Sequence, residues 1–562
     1  MAGQKNRNTS IAAPLLPLQL FAALAPYLTG LFYEWQSALA SLFLLAYLLF
    51  CHRRRGCLCL RKNSTLSALL LLEAFMLLGA LWGTDTGASV FGFVKFLPLP
   101  LFALCLMQLE PDERPRVLAF LPASAAGMLV LSLGLGQLPA LRDFFYVNSR
   151  LAGFFGYPNV FAAYCLLAIL FMVPRLGEKK WYWPCAACAA AGIALSGSRT
   201  TFILFVAAVV CCLILYKERK TRVILGGGLV AFLCVTLLYA LLTGNFSSIG
   251  RYLTGSLSSS TLLGRLLYDW DALPMILRHP LGLGYLGYWY TQGSFQTGVY
   301  SVMNVHNELF QLLLDVGWIP TAAILWAFGK SLLSERMDRS GRLMLIFAFL
   351  HSMLDFDFQF VAYACLLLPL METGEPVPAR PSRTMCAIIA GLLACVALYF
   401  GGTTALYYGG YTDAALRLWP SYTQASLVKL QQADSVEEME GRAQTILKTN
   451  ASVSLAWSAR ARCAYASGDF GTMISCKKEA IRLARYSLEE YLDYFDMLEV
   501  GIALYTQAGD AEGAEICREH LLAIPSMLQA VLEDTSSLAW QIDDKPALEL
   551  PAEYEARLEA IA

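Results

Sequence analysis

The chain has 562 residues, 57% of them hydrophobic and only 15% charged, with a formal net charge of −1. A soluble protein carries about 25% charged residues, so this composition excludes an ordinary water-soluble globule, and the lack of a basic stripe on its polar part excludes a nucleic-acid partner. The near-zero charge hides an asymmetry: residues 410–562 hold 13 Lys/Arg against 24 Asp/Glu, so an acidic tail follows a basic, apolar body.

Apolar runs close to the ~20 residues needed to cross a bilayer recur as far as residue 408. They predict spans near 12–31, 35–51, 64–82, 88–107, 117–138, 158–174, 181–197, 200–216, 223–243 and 308–329. Two short segments follow near 343–355 and 359–371, then a last span near 385–408. The predicted fold class is all-α: a polytopic transmembrane bundle of about 12–13 spans over residues 1–409, with a soluble helical domain at 410–562. The first run follows Lys5 and Arg7 and has no small-residue cleavage site, so it reads as a retained helix. The 16 cysteines lie mostly inside apolar runs, as Cys185, Cys188, Cys211 and Cys212 do, where Cys acts as a small hydrophobe. Cys57-Leu-Cys59 lacks the second pair of a zinc site.

Cytoplasmic loops retain Lys and Arg. With a cytoplasmic N-terminus, the clusters at 52–62, 175–180, 217–222 and 330–342 all fall inside. Two short helices bent at Asp355-Phe356-Asp357 then place Arg380 and Arg383 inside and the tail outside; one long span would reverse this. Such a charged bend is acceptable where it lines a cavity open to water. Seven basic residues remain against the bias: Lys95, Arg142, Arg150, Arg199, Arg251, Arg265 and Arg278. An anionic ligand is the simplest reason for cations on that face.

The outer loop 244–305 carries Tyr252, Tyr268, Trp270, Tyr285, Tyr288, Trp289 and Tyr290, rings suited either to sugars or to an interfacial belt. It ends at His306-Asn307-Glu308, before the span 308–329, where a neutral imidazole accepts a proton from a hydroxyl or merely caps the helix. Arg199 lies in the short turn Ser196 to Thr200, placed either to grip a phosphate with two hydrogen bonds or to snorkel. Lys95 interrupts an apolar span, which marks function. Asn159 follows Gly156-Tyr157-Pro158 at a span start, where a cap is the alternative. His351 and Asp355, at i and i+4, share a helix face and can pair.

These residues resemble the O-antigen ligase and polymerase superfamily of membrane glycosyltransferases. The resemblance rests on His306-Asn307 followed nine residues on by Gly317-Trp318-Ile319, although Pro320 departs from the family pattern. Arg150 to Gly153, Gly156 to Asn159, Ser198-Arg199, Gly264-Arg265 and Pro280 to Gly284 agree in order, over residues 10–410. It implies a metal-independent, inverting transfer of a glycan from an undecaprenyl-diphosphate carrier to a glycan, lipid or protein acceptor, at the extracytoplasmic face of a bacterial plasma membrane, with no cofactor. Arg199 and Arg265 would bind diphosphate and His306 would be the base, with Arg150, Lys95, Asn159, Asn307, His351 and Asp355 as candidate substrate-binding residues. Asp269-Trp-Asp271 and Asp355-Phe-Asp357, with His306 and His351, leave a divalent-ion site as an alternative.

In the tail, Gly468-Asp469 and Gly509-Asp510 recur at turns between Ala-rich helical patterns. This resembles tetratricopeptide repeats, whose concave surface would serve an acceptor or a protein partner. The rival readings are a lipid-linked-glycan flippase or other transporter, and a scaffold built around the tail. A transporter would line a path through the membrane with charge, whereas here the displaced cations gather at one face.

Overall fold

The computed structural model describes residues 13–177, 179–243, 260–372, 374–377 and 382–561. Lys5, Arg7, Arg251, Tyr252 and Arg380 lie outside the described residues. Six helices are long and apolar enough to cross a membrane: Glu34–Arg55, Ser64–Trp82, Ser89–Leu106, Arg114–Leu135, Pro158–Arg175 and Arg383–Tyr408. Shorter apolar helices pack among them, including Leu16–Tyr27, Tyr182–Ser196, Arg199–Leu215 and Val361–Leu370. Helices suit these sequences because each backbone donor and acceptor is satisfied within the segment, which hydrocarbon demands. Ser89–Leu106 and Pro158–Arg175 are the most enclosed of the six, each with 83% of its apolar window buried against 11% for Arg383–Tyr408. The latter helix exposes Ile388, Ile389 and Leu392, a surface suited to lipid.

The two ends of the bundle differ. At one end the basic loops are tied together: the two-residue strand Arg61–Lys62 pairs antiparallel with Glu375–Pro376, Lys330 meets Glu372 at 2.8 Å, and Arg339 donates to the Leu215 carbonyl. Helix Ser64–Trp82 runs from this end to the other, where the Trp82 indole donates to the Leu281 carbonyl. There the loop residues from 260 onward and the C-terminal domain pack together: Ser536 N–H donates to the Thr297 carbonyl, and Asn450 reaches Asp85.

One predicted span takes a different form, and the expected bend at 355–357 is present. The span expected over 308–329 is two helices, Glu308–Val316 and Trp318–Leu332, broken at Gly317. Gly317 has φ +74°, and a Cβ there would stand 2.3 Å from the Pro280 carbonyl oxygen, so only glycine fits. The turn Pro280–Gly284 fills the break: Gly284 N–H donates to the Asp315 carbonyl and Trp318 N–H to the Pro280 carbonyl, satisfying groups that a broken helix would strand. The region 343–371 is a helix, Arg339–Ser352, then a bend through a short 3-10 turn at Asp357–Gln359, then Val361–Leu367.

The C-terminal domain is helical hairpins. Ser454–Ala466 packs on Phe470–Leu483, and Leu488–Ala508 on Ala511–Leu522. The repeated Gly-Asp pair has a local cause. Gly468 and Gly509 take positive φ, which ends one helix, and the following Asp469 and Asp510 side chains cap the next by accepting from Thr472 N–H and Gly513 N–H. Lys477, fully buried, joins the hairpins by donating to Glu490 and Asp493 at 2.5 Å each.

Candidate active site

Asp355 is the hub. It sits in the bend after Ser352, is 1% exposed, and gathers side chains that lie far apart in the chain. Arg265, from helix Ser260–Arg278, donates Nη2 to Asp355 Oδ2 at 3.1 Å and Nη1 to the Leu354 carbonyl at 2.6 Å. The Tyr157 hydroxyl donates to Oδ1 at 2.9 Å and Asn159 Nδ2 to Oδ2 at 2.7 Å. Arg150 is anchored through Nη2 to Asn159 Oδ1 at 2.5 Å and through Nε to the Ser196 carbonyl at 2.7 Å. Burial opposes charge on Asp355, but the Arg265 guanidinium and then His306 outweigh it and hold the carboxyl well below the usual carboxylate range.

His306 Nδ1 lies 3.3 Å from Asp355 Oδ1, close enough for ion pairing but not aligned as a hydrogen bond. Its ring meets Phe356 edge-on at 5.0 Å. His306 keeps 19% of its side chain open, whereas Asp355 is closed off, so the imidazole is the member of the pair that a substrate can reach. The next residue, Asn307, caps helix Glu308–Val316 by accepting from Phe310 N–H, and its Nδ2 donates to Asp269 at 3.3 Å. Burial pushes the Asp269 carboxyl up to about 6, against the opposing effects of Asn307 and Arg265.

A cavity of about 290 Å³ opens over this hub, lined by Arg150, Tyr157, Asn159, Arg265, Tyr268 and His306, with Ile542 and Asp544 from the C-terminal domain. A larger cavity of about 460 Å³ runs between apolar helices, lined by residues such as Ile169, Ala190, Val209 and Phe232, and offers no polar chemistry.

The remaining candidates stand behind this cavity rather than in it. His351 pairs with Asp357, Nδ1 to Oδ2 at 2.7 Å, not with Asp355. The helix ends at Ser352, so an i, i+4 spacing no longer places Asp355 on the same face. His351 Nε2 meets the Thr201 hydroxyl at 2.9 Å, and Thr201 meets Ser198 at 2.9 Å, locking the Ser198-Arg199 turn to the bend. At 1% exposure His351 lies behind the cavity and not in its wall. Arg199 opens helix Arg199–Leu215, with its Nε buried and unpartnered among the described residues, but it does not line the cavity. Lys95, 3% exposed, donates to Gln359 at 3.2 Å and lies over the Phe32 ring. Gln359 in turn donates to Glu308, so Lys95 braces the bend and the His306 helix from below. Asp271 is occupied by Thr297 and Tyr300, and among the described residues no three His, Cys, Asp or Glu side chains gather into a metal-binding group.

Sequence reasoning missed Tyr157 as a hydrogen-bonding group, although it lies inside the Arg150–Asn159 stretch that pointed here. It missed Ile542 and Asp544 entirely, and nothing in their local sequence would have found them.

No curated protein matches this chain. Residues 184–325 match the family model described as O-antigen ligase. The matched stretch contains Arg199, Arg265, His306 and Asn307, while Arg150, Asn159 and Asp355 lie outside it and join the site only in three dimensions. Over this segment the chain is similar to the O-antigen ligase family, a similarity that supports a glycan-transfer role with a lipid-linked glycan donor and an acceptor.

Proposed function

We propose that the cavity over Asp355 transfers a glycan from an undecaprenyl-diphosphate carrier to an acceptor hydroxyl at the extracytoplasmic face of a bacterial plasma membrane. The observation that carries this reading is the sharing of one buried carboxylate by Arg265 and His306 at the wall of an open cavity. The acceptor oxygen attacks the anomeric carbon while its proton passes to Nε2 of the His306 imidazole, the ring nitrogen away from Asp355. Asp355 keeps its own charge and stabilises the imidazolium that forms. The bond from the anomeric carbon to the diphosphate oxygen breaks, and the electron pair leaves with the diphosphate. Arg265 and Arg150 are fixed cations held in place before the reaction, which is how a protein stabilises a charge that develops in the transition state. Arg199 lies within the same turn as the Arg150 anchor, Ser196, and adds to the field of the site. Attack opposite the leaving group inverts the anomeric configuration.

The C-terminal helical domain, 410–562, shares the cavity end of the bundle, so it is extracytoplasmic in this reading. The basic loops at the opposite end are then cytoplasmic, in keeping with the charge bias. Lipid-linked glycans compared with and without the gene test the reaction class. Short carrier-linked units accumulate if the enzyme polymerises, and long chains accumulate if it ligates. Unchanged carrier-linked pools in the absence of the gene would remove glycan transfer as the function.

A further inference from the structure

The cavity has a wall that the membrane domain does not make. After helix Ile524–Glu533, the chain turns back and lays residues 534–544 along helix Ser260–Arg278. Ala539 and Ile542 pack on Leu263 and Leu267, with Tyr268 and Tyr300 at the edge of the same cluster. Backbone bonds fix the register: Ser536 N–H donates to the Thr297 carbonyl at 3.0 Å, and Asp543 N–H to the Ser260 hydroxyl at 2.9 Å. Behind the segment, Arg485 pairs with Asp534 at 2.6 Å and Tyr486 meets Thr535 at 2.9 Å, tying it to the hairpins. Gly298 lies so close beneath that a Cβ there would stand 2.6 Å from the Ala539 Cβ. The outcome is that Ile542 and Asp544 line the same cavity as Arg150, Arg265 and His306.

The two contributions differ in chemistry. The membrane domain brings guanidinium groups anchored by Asn159 and Asp355. The C-terminal segment brings a carboxylate, beside the Ser260 and Thr261 hydroxyls and the Tyr268 ring. A carboxylate repels a diphosphate but accepts hydrogen bonds from neutral hydroxyls, and an aromatic face suits a sugar ring. We propose that residues 536–544 of the C-terminal domain form the acceptor subsite of the transfer cavity, with Asp544 accepting hydrogen bonds from the hydroxyls of an uncharged sugar acceptor and steering the anionic donor to the arginine side. This rests on the reading of the cavity as the transfer site. It makes the C-terminal domain part of the site itself, beyond any partner its hairpins bind.

Asp544 is exposed, so its replacement leaves the packing of Ala539 and Ile542 intact. The test uses the full chain in nanodiscs with inorganic pyrophosphate as a probe for the donor's leaving group, together with transfer measured in membranes from the carrier-linked pool. Asp544→Ala and Asp544→Asn are expected to bind pyrophosphate as tightly as wild type or several-fold more tightly, while transfer falls at least ten-fold and the donor accumulates. A misfolded protein would lose both properties, so this split is specific to an acceptor role. Wild-type transfer in both variants would overturn the inference, as would pyrophosphate binding lost together with transfer. Arg265→Ala serves as the separate control on the underlying reading. If it leaves pyrophosphate binding unchanged, the cavity is not the anion site; if it abolishes binding while Asp544→Ala transfers normally, only the acceptor inference fails.

Discussion

Replacing Asp355 by asparagine keeps the size of the hub and removes its charge. The Arg265 side chain, 12% exposed, then loses the counter-ion that it meets at 3.1 Å. Removing one partner of a buried pair leaves an uncompensated charge and costs about 3–5 kcal/mol. The Tyr157 hydroxyl and Asn159 can still bond to the amide, so the loss should sit at the lower end of that range. Catalysis suffers separately, because the imidazole of His306 loses the group that faces Nδ1 and compensates its positive charge. Loss of a carboxylate behind a histidine base costs roughly 10²–10⁴-fold in rate. The assay is thermal unfolding of Asp355→Asn in nanodiscs beside the rate at which membranes consume carrier-linked glycan. The folded carboxyl is held below its ordinary value, so its stabilising effect is complete above about pH 4 and is lost only as pH falls through the lower, folded value. The stability gap between wild type and variant should therefore be constant from pH 5 to 8. Wild-type rates in a destabilised Asp355→Asn would refute the catalytic argument, and an unchanged midpoint would refute the electrostatic one.

Three further outcomes follow from the geometry. Gly317→Ala must place a Cβ against the Pro280 carbonyl at positive φ; a loss of about 2 kcal/mol or more should appear as a lowered thermal midpoint, whereas Gly329→Ala, inside a helix with open space around it, should match or slightly exceed wild type. Asp269, raised to about 6, favours the folded state below its unfolded value near 4 and loses that contribution as pH rises through 6; Asp269→Asn should flatten the decline of the midpoint between pH 4.5 and 7, by about 1 kcal/mol once its partial exposure is allowed for. Lys95→Met removes the donor to Gln359 and leaves Glu308 without the buried cation nearby; it should lower transfer while leaving pyrophosphate binding intact, because Lys95 braces the His306 helix and does not line the cavity.

The apolar segments, the bend at Asp355–Asp357 and the displaced cation Arg265 and the imidazole His306 that line one cavity were all legible in the sequence, because each is a local statement about run length, charge or a turn. The break at Gly317 was not legible, since it exists only because the turn Pro280–Gly284 docks into it. Spacing paired His351 with Asp355, but that rule holds only inside a helix, and the helix stops at Ser352. The tight turn of Arg199 suggested a phosphate grip, and its anchoring to His351 through Ser198 and Thr201, with the cavity opening beside Arg150 and Arg265, could not be read from that turn alone. The wall built by Ile542 and Asp544 depends on the chain returning across more than two hundred residues to helix Ser260–Arg278, and no periodicity carries that information.

The account turns on one imidazole at the edge of a cationic cavity. The most direct measurement is the carrier-linked glycan pool in cells carrying His306→Ala, expressed at the wild-type level, beside cells lacking the gene. The account predicts that the two pools match, with the donor accumulated and its glycan untransferred. A His306→Ala pool indistinguishable from wild type would contradict it.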